Sequence, residues 1–254
     1  MTNRAWQAIF EQYHIATHDF DDSPYLLRAD DIKKATKQFE ATGEREPRIL
    51  CKQDTRESRP ELFKKLGLFI LPIKNGLYAI IRGEGYVDLP EITSEPITHE
   101  SILNFPLETV WQGDSEMQHL DYAYAVSLVR TFMDDPTLVL TIRGRKYTPQ
   151  FSFRVNHHIL SVESVQTEVD AGYEGQNQVV LIEAKNTRTK NVIIRQLFYP
   201  YRQWSQTTSK HVHPLFFERH GKEYRFWRFA FADEKDYASI QLVDAKRLIL
   251  AEGL

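Results

Sequence analysis

The segment from Val165 to Lys185 constrains the fold of this chain more than any other, because it holds two extended apolar runs separated by a turn rich in glycine and asparagine. In the first run polar and apolar side chains alternate, which is typical of a strand and places Asp170 on its polar face. The second run returns as a neighbouring strand with Glu183 and Lys185 on one face. Such a hairpin brings Asp170 close to Glu183 and Lys185.

Two carboxylates and an amine at the end of an apolar strand suit phosphodiester hydrolysis. Carboxylate oxygens are hard ligands for Mg²⁺, and two of them leave coordination positions for water and a phosphate oxygen. The ion lowers the pKa of a bound water molecule and offsets negative charge in the transition state. The Lys185 ammonium could hold that water or bind the phosphate. The sequence therefore predicts Mg²⁺ as a cofactor held by Asp170 and Glu183, with Lys185 as a catalytic group.

The pattern of Asp170 followed by Glu183-Ala184-Lys185 resembles the PD-(D/E)XK nuclease superfamily and, within it, the type II restriction endonucleases. Val169 stands where the superfamily name has a proline. The predicted order of strand, strand with Glu-X-Lys, helix and strand, over residues 165–218, is similar to the common core of that superfamily. Gln196, on the following helix, is similar to the glutamine of a helix motif in some relatives.

The resemblance implies a fold, an activity and partners. The fold would be mixed α/β, a restriction-endonuclease-like core with a central mixed β-sheet flanked by helices, plus an N-terminal α+β region. The activity would be Mg²⁺-dependent hydrolysis of double-stranded DNA at a specific sequence. The catalytic residues would be Asp170, Glu183, Lys185 and Gln196. A palindromic target would imply a two-fold homodimer, because symmetric DNA is cut by symmetric sites.

Alternatives remain open at the level of the sequence. A DNA repair or recombination nuclease would use the same site on DNA ends or structures, and a non-catalytic DNA-binding module would carry incidental carboxylates. Glu168 is the main rival of Asp170, because it lies on the same strand face one pleat earlier. Glu116, on a predicted acidic helix, is either a third carboxylate of the site or a solvated helix residue.

Charge is distributed unevenly, although the net formal charge is only −3. Residues 141–228 carry 14 Lys and Arg against 7 Asp and Glu, whereas residues 91–140 carry 1 against 9. A basic stretch of this kind suits a polyanion, although it is also typical of a solvated surface. Five of its side chains are expected to contact DNA phosphates, namely Arg143, Arg145, Lys146, Arg188 and Arg195.

Three further features have competing interpretations. His211 and His213 share one face of a predicted strand, but no third zinc ligand is apparent nearby, which favours a structural or surface role. The arginines of residues 54–59 could read guanine bases, and surface ion pairs explain them equally well. A helix predicted from Asn191 to Trp204, with Asn191 as its N-cap, would direct free N–H groups toward anions.

Periodicity and turn residues predict two regions. Helical spacing indicates helices at residues 5–13 and 29–39, and Asn75-Gly76 between apolar runs predicts a hairpin with Pro72 in its edge strand. A long amphipathic helix is expected from Asp114 to Phe132. Three prolines in residues 90–106 indicate a boundary, so we expect a DNA-recognition region at 1–95 and a catalytic domain at 96–254.

The composition excludes several classes of protein. The longest apolar run, Leu66–Ile73, is much shorter than the roughly 20 residues that span a bilayer. The N-terminus has no apolar stretch typical of a signal peptide. Cys51 is the only cysteine, which rules out an intramolecular disulfide and a multi-cysteine zinc site. We therefore expect a cytoplasmic protein without a membrane partner.

Overall fold

The N-terminal third of the chain is an α+β unit. In the computed structural model, which describes residues 2–251 apart from the side chain of Trp111, its helices are α1 (Asn3–Gln12), α2 (Ala29–Ala35), α3 (Pro47–Leu50) and α4 (Glu61–Leu66). Its strands β1 (Tyr25–Arg28), β2 (Leu68–Lys74) and β3 (Leu77–Arg82) form an antiparallel sheet of order β1-β3-β2. Trp6, Phe10 and Phe63 meet edge to face in the core that helices and sheet share.

The hairpin predicted at Asn75-Gly76 is confirmed, since it joins β2 to β3. Gly76 has a φ of 75°, which glycine adopts without the steric penalty of a Cβ atom. Pro72 lies in β2, an edge strand of this sheet, as expected for a residue that lacks an N–H group. The two predicted helices are also present, although the second ends at Ala35.

A second, larger sheet organises the rest of the chain. The strands that follow are β4 (Tyr86–Asp88), β5 (Ile97–His99), β6 (Val139–Tyr147), β7 (Phe151–Val155), β8 (His158–Val162), β9 (Gln166–Glu174), β10 (Gln178–Lys185), β11 (Asn191–Ile193), β12 (His211–His220), β13 (Glu223–Phe231) and β14 (Ile240–Leu250). Seven of them form a mixed sheet of order β5-β14-β13-β12-β10-β9-β6, in which the β10–β12 and β14–β5 pairs are parallel. β7 pairs with β8, and β11 with β4.

Helices cover both faces of the seven-stranded sheet. These are α5 (Glu116–Ala125), α6 (Leu128–Met133) and α7 (Arg195–Ser205). Apolar residues of α5 and α6 pack with Ala171 and Ile182 on one face, whereas Phe198 of α7 packs with Phe216 on the other. The predicted fold class, a mixed α/β chain whose central mixed sheet is flanked by helices, is therefore confirmed.

The prediction of one long helix from Asp114 to Phe132 was wrong. The helix divides into α5 and α6 at Ser127, which has a left-handed φ of 73°. The preceding carbonyl, that of Val126, bonds the Nε2 atom of His99 at 2.8 Å. A tertiary contact therefore takes up a main-chain carbonyl at the break, which the periodicity of the segment does not reveal.

The helix predicted from Asn191 begins instead at Arg195, so Asn191 is not its N-cap. Asn191 starts β11 and is 2% exposed. Its side-chain oxygen accepts from the Arg56 N–H at 2.7 Å, and its amide nitrogen donates to Glu57 at 3.0 Å. Asparagine therefore serves a long-range contact here, which joins the N-terminal unit to the larger sheet.

Part of the glycine-containing segment that the sequence places in a turn is strand, because β9 continues through Gly172 to Glu174. Gly172 is required there by packing, since a Cβ atom at this position would lie 2.7 Å from the Cβ atom of Ile142 on β6. The turn consists of residues 175–177.

Residues 86–99 hydrogen-bond to later parts of the chain, through the β4–β11 and β5–β14 pairs. The division into 1–95 and 96–254 stays a prediction, and residues 1 and 252–254 lie outside the described residues. Between residues 2 and 251, no helix is both long and apolar enough to cross a membrane.

Candidate functional site

The site is built where β9 and β10 separate. Their antiparallel ladder ends at the pair Ile182 and Ala171. Ala171 packs on the α5–α6 face, but Val169, two residues earlier, packs on the α7 face with Leu181. The alternation of side chains along β9 is therefore interrupted around Asp170, so that Val169 and Ala171 lie on opposite faces of the sheet. The Asp170 carboxylate takes the place of a main-chain partner, because its Oδ2 atom accepts from the Ala184 N–H at 2.7 Å.

Glu183 lies deepest in the site and is 8% exposed. Its Oε1 atom accepts a hydrogen bond from the Lys185 ammonium group and another, at 2.6 Å, from Nε2 of Gln196. Burial raises the pKa of Glu183 to about 7, with a further upward contribution from Asp170 and an opposing one from Lys185. The structure thus brings the four predicted catalytic side chains, Asp170, Glu183, Lys185 and Gln196, into one cluster.

The pKa values of Asp170 and Lys185 are shifted for related reasons. Burial raises the pKa of Asp170, while the Ala184 N–H bond and the Lys185 charge oppose that rise. Burial also disfavours the charged form of Lys185, but the Glu183 carboxylate outweighs it and the pKa of Lys185 is raised. Lys185 therefore stays an ammonium ion, and it is the cation that faces both carboxylates.

The donor set at this site suits a hard divalent cation. Asp170 and Glu183 offer carboxylate oxygens, and the Ala184 carbonyl, which accepts from Nζ of Lys185 at 2.9 Å, offers a third oxygen. An all-oxygen set of this kind fits Mg²⁺. Among residues 2–251, no three side chains of His, Cys, Asp or Glu are gathered closely enough to form a metal site by themselves. The backbone carbonyl would therefore be needed.

Gln196 connects the carboxylates to α7. Its Nε2 atom donates a hydrogen bond to Glu183, and its Oε1 atom is buried and accepts no hydrogen bond from the described residues. Gln196, Glu183 and Glu168 line a cavity of about 10 Å³, which has room for about one water molecule.

The two alternative carboxylates differ in their surroundings. Glu168 is exposed and forms an ion pair with Arg145 of the neighbouring strand at 3.3 Å. Glu116 begins α5 and is close enough to raise the pKa values of Asp170 and Lys185. The hydrogen bond that the Ala184 N–H donates to Asp170 distinguishes this carboxylate from both, since it fixes Asp170 against β10.

The five predicted phosphate contacts do not form one free basic surface. Arg143 pairs with Asp121, Arg145 with Glu168 at 3.3 Å and Arg188 with Glu91 at 3.0 Å. Arg195 is only 21% exposed in its side chain and lies 3.9 Å from Asp54 of the N-terminal unit. Lys146 is exposed, on the strand position opposite Thr167 of β9.

The arginines of residues 54–59 serve the internal structure. Arg56 pairs with Glu84 at 3.1 Å and with Asp88. Arg59 donates to the Leu68 carbonyl at 3.1 Å and lies over the Tyr86 ring. The Arg56 contacts correspond to the ion-pair interpretation, and the guanidinium groups of both arginines are bonded to protein.

His211 and His213 lie on β12 with ring centroids 6.4 Å apart. Burial lowers the pKa of His213 to about 4, with Arg228 as the next cause. His213 is therefore neutral at physiological pH. Within residues 2–251 no third histidine, cysteine or carboxylate completes a metal site beside this pair.

Two residues near the site escaped the sequence analysis. Glu218, 2% exposed, pairs in parallel register with Lys185 and accepts from the Thr189 N–H at 2.7 Å, which anchors the loop after β10. Asp54 is near enough to contribute to the raised pKa of Glu183. A glutamate inside the apolar run of β12 was a usable signal for Glu218. Asp54 had none, because its position depends on a contact with a distant part of the chain.

Two family models match the chain. A domain of unknown function (DUF6996) matches residues 3–80, and a second domain of unknown function (DUF6997) matches residues 81–249. No curated protein and no solved structure matches the chain. Asp170, Glu183, Lys185 and Gln196 all lie within the second match, which spans more than half of the chain. The chain therefore belongs to the DUF6997 family.

Proposed function

We propose that this chain is a Mg²⁺-dependent endonuclease that hydrolyses phosphodiester bonds in double-stranded DNA at a specific sequence, as type II restriction endonucleases do. The observation that carries the proposal is the meeting of Asp170, Glu183 and Lys185 where β9 and β10 separate. Asp170 is fixed by the Ala184 N–H, and Lys185 is bonded to Glu183. The resemblance to PD-(D/E)XK nucleases supports the same assignment.

Each side chain has a role in that reaction. Asp170, Glu183 and the Ala184 carbonyl would hold Mg²⁺, which when bound would acidify water and offset charge on the phosphate. Gln196 orients the Glu183 carboxylate through its 2.6 Å hydrogen bond. The Lys185 ammonium would position the attacking water or provide positive charge where negative charge develops on the scissile phosphate.

DNA would approach along the exposed edge formed by β6 and the loop after β10. Lys146 lies there without burial, and the ion-paired Arg145 and Arg188 are exposed enough to exchange a carboxylate for a phosphate. Arg143 and Arg195 are less accessible, so we give them a smaller part. Residues 1–95 would contribute to recognition of the DNA sequence. A palindromic target would require a homodimer. The enzyme would act in the cytoplasm.

The direct test is digestion of plasmid DNA of known sequence by the purified protein with Mg²⁺, followed by mapping of the ends. Discrete fragments with constant ends are expected for a restriction endonuclease. Smears or nicks confined to DNA ends or junctions would favour the repair or recombination nuclease instead. Binding without cleavage, in the presence of Mg²⁺ or Mn²⁺, would contradict the enzyme assignment and favour a DNA-binding module. A Glu183→Gln variant prepared in parallel excludes a contaminating nuclease.

A further inference from the structure

Lys185 lies between the oxygens that would hold the metal ion. Its Nζ atom donates to the Glu183 carboxylate and, at 2.9 Å, to the carbonyl of Ala184. These two oxygens belong to adjacent residues of β10 and are the ones assigned above to Mg²⁺. An ammonium group and a divalent cation cannot both occupy the space between them, because each needs the same lone pairs and the two charges repel.

We propose that Lys185 is a cationic gate, whose ammonium group holds the place of the divalent ion in the metal-free protein and is displaced when the ion binds. This inference rests on the proposed function, since it concerns the same metal site. It adds a second role for Lys185, namely control of metal entry before any phosphate is present.

The surroundings of Lys185 explain why its ammonium group occupies this position in the absence of metal. Glu183 is buried, and Asp170 and Glu116 add negative charge near the same point. A cation is therefore needed between them, because buried carboxylates without a counter-charge are strongly disfavoured. Lys185 supplies that charge from its own strand.

The surroundings also permit Lys185 to leave. Its side chain is 23% exposed, so the ammonium group has access to solvent. The Glu183 oxygen that it vacates remains held by Gln196, a neutral donor that does not repel an incoming cation. Once released, the ammonium group is free on the open side of the site, where a phosphate would approach.

Competition for these oxygens predicts that removal of the ammonium group strengthens metal binding. The experiment measures the Kd for Mn²⁺, without DNA, by titration calorimetry or by electron paramagnetic resonance of free Mn²⁺, at pH 8.0. The proteins are wild type, Lys185→Met and Lys185→Gln. Lys190→Met is the matched control, because Lys190 is exposed in the loop after β10 and its substitution removes the same charge. Thermal unfolding of each variant verifies that it is folded.

We expect Mn²⁺ to bind about tenfold more tightly to both Lys185 variants than to wild type, which corresponds to about 1.4 kcal/mol, and to bind Lys190→Met as it binds wild type. An unchanged or weaker affinity in the Lys185 variants would overturn the gate, as would equal tightening in Lys190→Met or absence of Mn²⁺ binding in every protein. The outcome for the nuclease is separate. Tighter Mn²⁺ binding with no cleavage by wild type would keep the gate and reject the enzyme.

Discussion

Gln196 of α7 donates a hydrogen bond from Nε2 to Oε1 of Glu183 at 2.6 Å, so the helix on one face of the sheet orients the most buried carboxylate of the site. Lys185 donates a hydrogen bond to the same Glu183 oxygen. The direction in which the Glu183 carboxylate points therefore depends on Gln196 as well as on Lys185.

Substitution of Gln196 tests this dependence. We expect Gln196→Ala to lower the DNA cleavage rate by about 10- to 100-fold, because a hydrogen bond to a charged group contributes about 1.5–3 kcal/mol. Gln196→Glu should lower it further, since a third carboxylate would repel Glu183. Single-turnover cleavage measures both effects. Gln206→Ala, at the end of α7, is the control, and a Gln196→Ala enzyme as fast as this control would contradict the positioning role.

A pair of variants separates Asp170 from its rival Glu168. Asp170→Asn should reduce cleavage by at least about 10³-fold, because it weakens the metal site and disturbs the bond to Ala184. Glu168→Gln should leave the rate within about threefold of wild type, because Glu168 is exposed and paired with Arg145, and exposed pairs contribute little. DNA binding measured with Ca²⁺ should persist in both. The reverse ranking of the two rates would reassign the metal ligand to Glu168.

Local periodicity predicted the part of the site that two neighbouring strands supply. Alternation along β9 and β10 placed Asp170, Glu183 and Lys185 together, because a hairpin needs no distant partner. It did not predict that the alternation along β9 is interrupted around Asp170, since that interruption follows from where the hydrogen-bonded ladder between β9 and β10 ends. It also missed Asp54, whose approach to the site depends on the docking of the N-terminal unit.

The same reasoning explains the errors in the fold. Asn191 has the residue type of a helix N-cap, but its partners are Arg56 and Glu57, about 135 positions earlier in the chain. A contact so distant in sequence leaves no local signal. Ser127 divides the predicted long helix where the preceding carbonyl bonds His99, which is again a contact outside the segment. The Asn75-Gly76 hairpin was predictable because its turn and both strands are contiguous.

The contribution of Asn191 to the docking of the N-terminal unit can be measured as a change in the free energy of unfolding. We expect Asn191→Ala to lower the free energy of unfolding by about 2 kcal/mol, because it leaves the Arg56 N–H without its acceptor and removes the bond to Glu57. Asn177→Ala, in the exposed turn before β10, should change it by less than about 0.5 kcal/mol. Urea denaturation gives both values. Equal stabilities of the two variants would show that the amide contributes little to docking.

Lys146 is the basic residue on which the proposed DNA surface depends most. We expect Lys146→Ala to weaken binding to DNA of any sequence and to reduce the slope of log K against log salt by about 1, as loss of one phosphate contact does. Lys210 serves as the control, because it forms an ion pair with Glu174 at the opposite end of β9 from the position that pairs with Lys146. Fluorescence anisotropy at several salt concentrations gives both slopes. A slope changed equally by Lys210→Ala would indicate general electrostatics instead of a contact.

The raised pKa of Glu183 predicts that metal binding depends on pH. Folding raises this pKa from 4.5 to about 7, so the stability that the shift contributes is present below 4.5 and is lost as the pH rises through about 7. A metal ion binds the ionised carboxylate, which about one protein molecule in ten carries at pH 6.

Mn²⁺ should therefore raise the melting temperature by about 3–6 °C more at pH 8 than at pH 6, since a tenfold difference in affinity is about 1.4 kcal/mol. Differential scanning fluorimetry with and without Mn²⁺ measures the two shifts. Glu183→Gln has no carboxylate to ionise and should show a small shift at both pH values. Equal shifts for the wild type at pH 6 and pH 8 would mean that Glu183 is not the group whose ionisation admits the metal.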